Sequence, residues 1–458
     1  MSDAHRRLLK TRSRRPIDPS QFTPFYAYVA AARSAEESLF TEGVSLEDIA
    51  TNVGTPAYVY SRAAIEGAYT AFDGALAALP HKICFSVKVN GNLSVLRVLK
   101  QLGSGFDIVS GGELDRLRRI GVSGDRIVFS GVGKTREEIR DAFGYFDKGT
   151  GAIGVRGILL LNVESEGELE VVLEESSRHV SKGGRRPAIS IRVNPDVMAG
   201  GHPHISTGKH HHKFGIDWQV ARRLYLTHKD SPWITWRGIS AHIGSQILST
   251  APYRRAIARI ASYVRDLARD GIRLEYVDAG GGPGIRYTSE SPFAAADYAD
   301  VFKDAITPFG ATLLIEPGRS IVGSAGVLLT RVIYVKENRE KTFVIVDAAM
   351  NDLIRPVLYD AIHPITPVRR AKGQGERVKR VDVVGPVCES GDFLARDWPL
   401  APVKTGDLLV VWAAGAYAFA QSSNYNARRR PAEVLVEGRR FRIVRKRQSY
   451  EDLIRGET

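Results

Sequence analysis

From residue 82 the chain alternates eight times between a short apolar, β-rich run and a longer amphipathic stretch, a period that few folds can accommodate. The runs are KICFSV (82–87), FDIV (106–109), RIVF (126–129), GILLLNV (157–163), AISIRV (188–193), WRGISAHI (236–243), EYVDA (275–279) and TLLI (312–315). Helical patterns separate them, among them LSVLRVLKQL (93–102), GELDRLRRI (112–120) and YRRAIARIASYVRDLARD (253–270). Eight strand-then-helix units predict an α/β fold built on a (β/α)8 TIM barrel. After EPGRSIVGSAG (316–326) the long helices stop and strand-like runs follow one another, which predicts a second, all-β domain, a barrel or sandwich. The run PAYVY (56–60) reads as a strand of that same domain, which would then receive chain from both sides of the barrel. The expected division is a basic N-terminal extension at 1–35, a segment at 36–62 contributing to the β domain, the barrel at 63–316 and the β domain at 317–458. FGYFDKGTGAIGVRG (143–157) reads as a surface loop between barrel units.

Composition narrows the chemistry. With 458 residues, 43% apolar and 25% charged, the chain can bury large cores without staples. Its two cysteines, Cys84 and Cys388, are far apart and outside any CxxC spacing, which argues against a disulfide framework or a thiolate zinc site. No apolar run approaches the ~20 residues of a membrane span. The first residues also lack an apolar signal core, so a cytoplasmic protein is expected. The formal charge of +13 concentrates in the N-terminal tail and in GRRFRIVRKR (438–447). Nucleic acid would use such charge, but no recognition motif accompanies it, and an anionic small substrate would use the same field.

In a barrel of this kind chemistry sits at the C-terminal strand ends. Lys88 follows the first run in FSVKVN, between two valines, where a charged side chain needs a reason. Burial that lowers an amine's pKa and frees a nucleophile that forms an imine is one. HIGSQ places His242 and Ser245 after the sixth run. DAGGGPG (278–284) puts consecutive backbone N–H groups at the mouth after the seventh, as a phosphate requires, without the long helix-strand-acid unit of a dinucleotide turn. EPGR sets Glu316 and Arg319 on a tight turn after the eighth. An amine, a ring that can stack, phosphate donors and a carboxylate together describe a pyridoxal-phosphate site. A glutamate opposite the pyridine nitrogen keeps the ring protonated and a strong electron sink, which favours decarboxylation over restrained racemisation.

These words, with GTPAYVY, GFDIVSGGEL, NVES, RVNPD, HISTG, KFGI, DAAMNDLIRPVLYDAIH, VVGPVCESGDFLARD and GAYAFAQSSNYNARRRP, run in order over residues 54–431. The chain resembles the barrel-fold, alanine-racemase-like pyridoxal-phosphate decarboxylases, and among them the diaminopimelate decarboxylases of lysine biosynthesis. The resemblance implies that Lys88 holds pyridoxal 5'-phosphate covalently and that His242 stacks on its ring. It further implies that Ser245, Gly281, Gly282 and the turn carrying Gly318 bind phosphate, and that Glu316 pairs with the ring nitrogen. Arg319, Arg355 and Tyr359 would clamp the substrate's distal carboxylate, Arg319 and Tyr417 also lining the cofactor site. Glu389 would meet the distal amine, and Tyr417 would line the same pocket. Cys388 would protonate Cα after carbon dioxide leaves, reaching into a partner's barrel, so a homodimer with shared active sites is implied.

The chemistry of two assignments stands apart from the resemblance. Two arginines and a tyrosine hydroxyl suit a carboxylate and not ornithine's bare ammonium. A thiol flanked by Glu389 and Asp392 is expected to stay protonated, as a proton donor must, while Cys84 on the first run reads as a small buried hydrophobe. Two departures are visible: Val89 stands where the family commonly has alanine, and HPHISTGKHHHKFG (202–215) is rich in histidine. The words around those histidines belong to a family loop, so no metal is expected. The competing readings are a sibling decarboxylase of ornithine, arginine or carboxynorspermidine, a tailoring enzyme of a specialised pathway, and a non-catalytic cofactor- or nucleic-acid-binding protein.

Overall fold

The computed structural model describes residues 18, 21–30, 35–144, 157–197, 213–371 and 378–458. Most of the basic N-terminal tail, the glycine-rich stretch from 145 to 156 and the histidine-rich stretch from 202 to 212 lie outside them.

Eight parallel strands close a barrel in sequence order: β1 (His81–Ser86), β2 (Gly105–Ile108), β3 (Ile127–Phe129), β4 (Leu160–Val163), β5 (Ala188–Arg192), β6 (Thr235–Ser240), β7 (Tyr276–Asp278) and β8 (Thr312–Ile315). The ring is sealed where β8 pairs with β1, Ile315 opposite Ile83. Each strand lies within a few residues of its apolar run. The helices carry their apolar residues three and four apart. Ala251–Arg269 buries Tyr253, Ala256, Ile257, Ile260, Ala261, Val264 and Leu267, a stripe facing the barrel with arginines on the other side. Inside, Cys84, Val128, Leu159, Leu160 and Leu314 form one apolar cluster, so Cys84 is the small buried hydrophobe its context suggested.

Toward the strand C-termini the lining turns polar. Ser86 pairs with Asp107 across β1 and β2, Asn162 with Ser190 across β4 and β5, and Ser240 with Asp278 across β6 and β7. All six are buried. Polar side chains inside a barrel are costly unless something satisfies them.

The chain divides into two compact units, one of Ala68–Ile285 with Ser291–Ser320, the other of Met1–Gly67, Arg286–Glu290 and Ile321–Thr458. The second unit is built on a nine-stranded sheet. Its strand Gly326–Glu337 pairs antiparallel with Ala57–Ser61, Thr342–Val346 and Leu408–Val411, and Ala57–Ser61 lies parallel to Ala432–Glu437. PAYVY is therefore a strand of this unit, flanked on both sides. Trp412 anchors its core: the ring stacks on Phe22, meets Tyr26 edge-on, and donates its indole N–H to Thr366 Oγ1 at 2.8 Å. The basic run near the C-terminus belongs to this unit's hairpin, Ala432–Glu437 with Arg440–Arg445. Its charge is partly engaged at home, Arg445 on buried Glu433 and Arg447 on the Pro56 carbonyl.

Candidate active site

Lys88 follows the strand directly, but not in the extended conformation that its flanking valines favour. β1 ends at Ser86, and Val87–Val89 form a single 3-10 turn closed by Asn90 N–H on the Val87 carbonyl (3.1 Å). The turn sets the lysine, its side chain 36% exposed, against fully buried Asp107 of β2, Nζ to Oδ2 2.9 Å. The expected burial of the amine is thus corrected: Nζ is reachable at the mouth and held by a carboxylate. Val89 packs toward Gly318, where an added Cβ would come within 2.3 Å of its Cγ2, so the lysine turn and the EPGR turn are fitted to each other.

Asp107 is one of three carboxylates gathered here. Asp278 ends β7 and accepts from Asn162 Nδ2 (3.1 Å) and Gly280 N (3.0 Å), and Glu316 follows β8. Burial, reinforced by Asp107 and Asp278, holds Glu316 well above the usual carboxylate range, and burial likewise raises Asp278. Glu316 Oε1 and Asp107 Oδ1 are buried without a hydrogen-bond partner among the described residues. Three buried acids around one lysine form a site that a further cation or donor would complete.

The opposite wall is an anion cradle. Gly281 comes so close to the Glu316 carbonyl that a Cβ there would lie 2.1 Å from its oxygen, and Gly282, at φ +108°, would meet the Gly244 carbonyl at 2.4 Å. Only glycine lets the backbone of this turn pass. Ser245 accepts from buried Arg319 Nη2 at 3.0 Å, bringing a guanidinium beside the same turn. His242 Nδ1 accepts the Gly281 N–H at 3.1 Å, so the neutral ring carries its proton on Nε2. Burial, with Arg192 and Lys88 nearby, pushes its pKa well down and keeps the ring neutral. This unit therefore brings together Lys88, His242, Ser245, Gly281, Gly282, Glu316, Gly318 and Arg319.

The remaining residues lie in the β unit. Arg355, 6% exposed, begins the short helix Arg355–Tyr359, its guanidinium carbon 5.9, 5.7 and 6.0 Å from the ring centres of Tyr287, Tyr359 and Tyr417. Tyr417 reaches that position from a left-handed backbone, φ +55°, a strained conformation for an aromatic residue. Cys388 and Glu389 are exposed. The Cys388 N–H donates to Asn426 Oδ1 (3.0 Å), and Glu389 accepts from Tyr425 Oη (2.7 Å). Asp392 accepts the backbone N–H groups of Met350 and Val387, both at 2.7 Å.

Sequence reasoning missed Asp107, Asp278, Asn162 and Tyr287. The first two carried the same signal as Lys88, a charge within an apolar β-run.

Residues 62–323 match the family described as pyridoxal-dependent decarboxylase, pyridoxal binding domain. A diaminopimelate decarboxylase of Pseudomonas fluorescens is 48% identical over 420 residues, 92% of this chain and 97% of the relative. One from Aquifex aeolicus is 44% identical over 437 residues, 95% of this chain and 97% of the relative. The crystal structure of diaminopimelate decarboxylase from Helicobacter pylori complexed with L-lysine superposes with a TM-score of 0.82 at 38% identity, covering 90% of this chain and 98% of that one.

Proposed function

The chain belongs to the diaminopimelate decarboxylase family of pyridoxal-dependent decarboxylases, and from that premise we propose that it converts meso-2,6-diaminopimelate and a proton to L-lysine and carbon dioxide, the last step of lysine biosynthesis. The residues fit the cofactor. Lys88 offers an amine at the mouth, the Gly281–Gly282 turn with Ser245, Gly318 and Arg319 offers phosphate donors, and Glu316 offers a buried oxygen in want of a partner. A protonated ring nitrogen would give Glu316 the donor that its buried oxygen lacks. When bound, pyridoxal phosphate supplies an electron sink for the pair left on Cα as the bond to the carboxylate breaks.

The chain's own groups do the rest. Asp107 holds the Lys88 amine, His242 presents a neutral ring, and Glu316 keeps a proton at the ring nitrogen. Arg355 and Arg319 with Tyr359 take the substrate's distal carboxylate, Glu389 its distal ammonium, and Tyr417 lines that pocket. Cys388 of a second protomer gives its proton to Cα after carbon dioxide has gone and regains one from solvent, so the protein works as a homodimer with shared sites. Exposure of Cys388 and Glu389 on the β unit supports that reading. A free exposed thiol also suits the reducing cytoplasm.

The observation that carries the substrate assignment is Arg355, a nearly buried guanidinium set among three tyrosine rings. A guanidinium is a planar fork that matches a carboxylate, and ornithine carries an ammonium rather than a carboxylate at its distal end. Arg355→Ala is expected to lower kcat/KM for meso-diaminopimelate by about 2–4 kcal/mol, the scale of a lost buried charge-assisted pair, with cofactor absorbance intact. Steady-state kinetics on the reconstituted protein decides it, since unchanged kcat/KM would mean a substrate without a distal carboxylate.

A further inference from the structure

We propose that His363 is a positioning residue for substrate specificity, fixing the Arg355 guanidinium in the orientation that receives the distal carboxylate. This rests on the substrate reading above. His363 is 1% exposed and lies eight residues beyond Arg355, past the turn at Asp360. Its Nε2 accepts the Arg355 Nε–H at 3.2 Å, and its Nδ1 lies 2.9 Å from the Trp412 carbonyl. A carbonyl only accepts, so Nδ1 carries the proton and Nε2 keeps its lone pair toward the guanidinium. Trp412 lies fully buried in its unit's core, so the ring is tied to core backbone. Tyr287 packs edge-on against the same imidazole, centroids 5.2 Å apart, and its hydroxyl lies 3.5 Å from Arg355 Nη2.

The consequence is directional. A guanidinium is a planar fork, and holding Nε from one side fixes the plane in which its Nη groups present themselves. Without the acceptor, Arg355 keeps its charge but not its aim. An error in aim weakens recognition of a carboxylate and leaves the chemistry at the other end of the substrate untouched.

The test compares His363→Met and His363→Gln, side chains of similar length of which only the second offers a hydrogen-bond acceptor, as cofactor-loaded enzymes. Two competitive inhibitors read the clamp: L-lysine, which keeps the distal carboxylate, and 1,5-diaminopentane, which lacks it. His363→Met is expected to raise KM for meso-diaminopimelate and the inhibition constant for L-lysine roughly tenfold, with kcat and the constant for 1,5-diaminopentane held within about twofold. His363→Gln should recover most of the loss. His363→Asn, which keeps an amide for Trp412 but draws it back from Arg355, should behave like the Met variant and serves if that one does not fold. Unchanged L-lysine inhibition in the Met and Asn variants while Arg355→Ala weakens it would overturn this proposal alone. Equal loss for both inhibitors, or no recovery with Gln, would reduce His363 to a packing role. Unaltered L-lysine inhibition in Arg355→Ala would remove the clamp itself, and the substrate reading with it.

Discussion

Lys88→Ala protein is expected to lose turnover by roughly a thousandfold or more and to be colourless after incubation with pyridoxal phosphate, because Lys88 presents its amine at the barrel mouth beside Asp107. The argument rests on placement. The 3-10 turn after β1 lifts Lys88 out of the strand, Asp107 fixes its Nζ, and Glu316 and the Gly281–Gly282 turn face the same mouth. Borohydride reduction of the unaltered protein, followed by peptide mapping, should place the cofactor on Lys88. A label on another lysine, or none in cofactor-saturated protein, would sink the assignment.

The second large effect is a gain. Lys88→Ala and Cys388→Ala should each be strongly impaired as pure homodimers, yet a mixture whose subunits have exchanged should recover activity. One site of a mixed dimer has both groups intact and the other has neither. Such a dimer should work at about half the wild-type rate. Random reassortment makes about half of all dimers mixed, so recovery to about one quarter is expected, and only after exchange. A mixture that stays as inactive as its components despite proven exchange would assign both residues to one chain's site, or leave Cys388 a packing role.

How far the sequence revealed this site follows from the range of the interactions involved. Barrel strands were legible because each is a local apolar run bounded by polar residues, and the turn proposed to hold phosphate because a run of glycines permits a backbone path that side chains would block. Lys88 misled only in its local conformation: VKV has strand propensity, but the close approach of Gly318 to Val89 favours a tight turn, a tertiary effect that no window around residue 88 contains. Asp107 and Asp278 were visible as letters, but their meaning comes from lying near Glu316 across strands, with 171 residues or more between the first and the others. The proposed clamp was legible as residue types, yet the surroundings of Arg355 were not. His363 is tied to a carbonyl 49 residues away, and Tyr287 comes from a five-residue segment of a barrel loop that groups with the β unit.

The central claim is one of substrate, and carbon dioxide release tests it most directly. Purified, cofactor-loaded protein offered meso-diaminopimelate, ornithine and arginine in parallel is expected to release carbon dioxide from meso-diaminopimelate and form L-lysine in equal amount, with kcat/KM for the other two lower by roughly a hundredfold or more, since neither meets Arg355 with a distal carboxylate. Release from ornithine or arginine that matches or exceeds that from meso-diaminopimelate would contradict it.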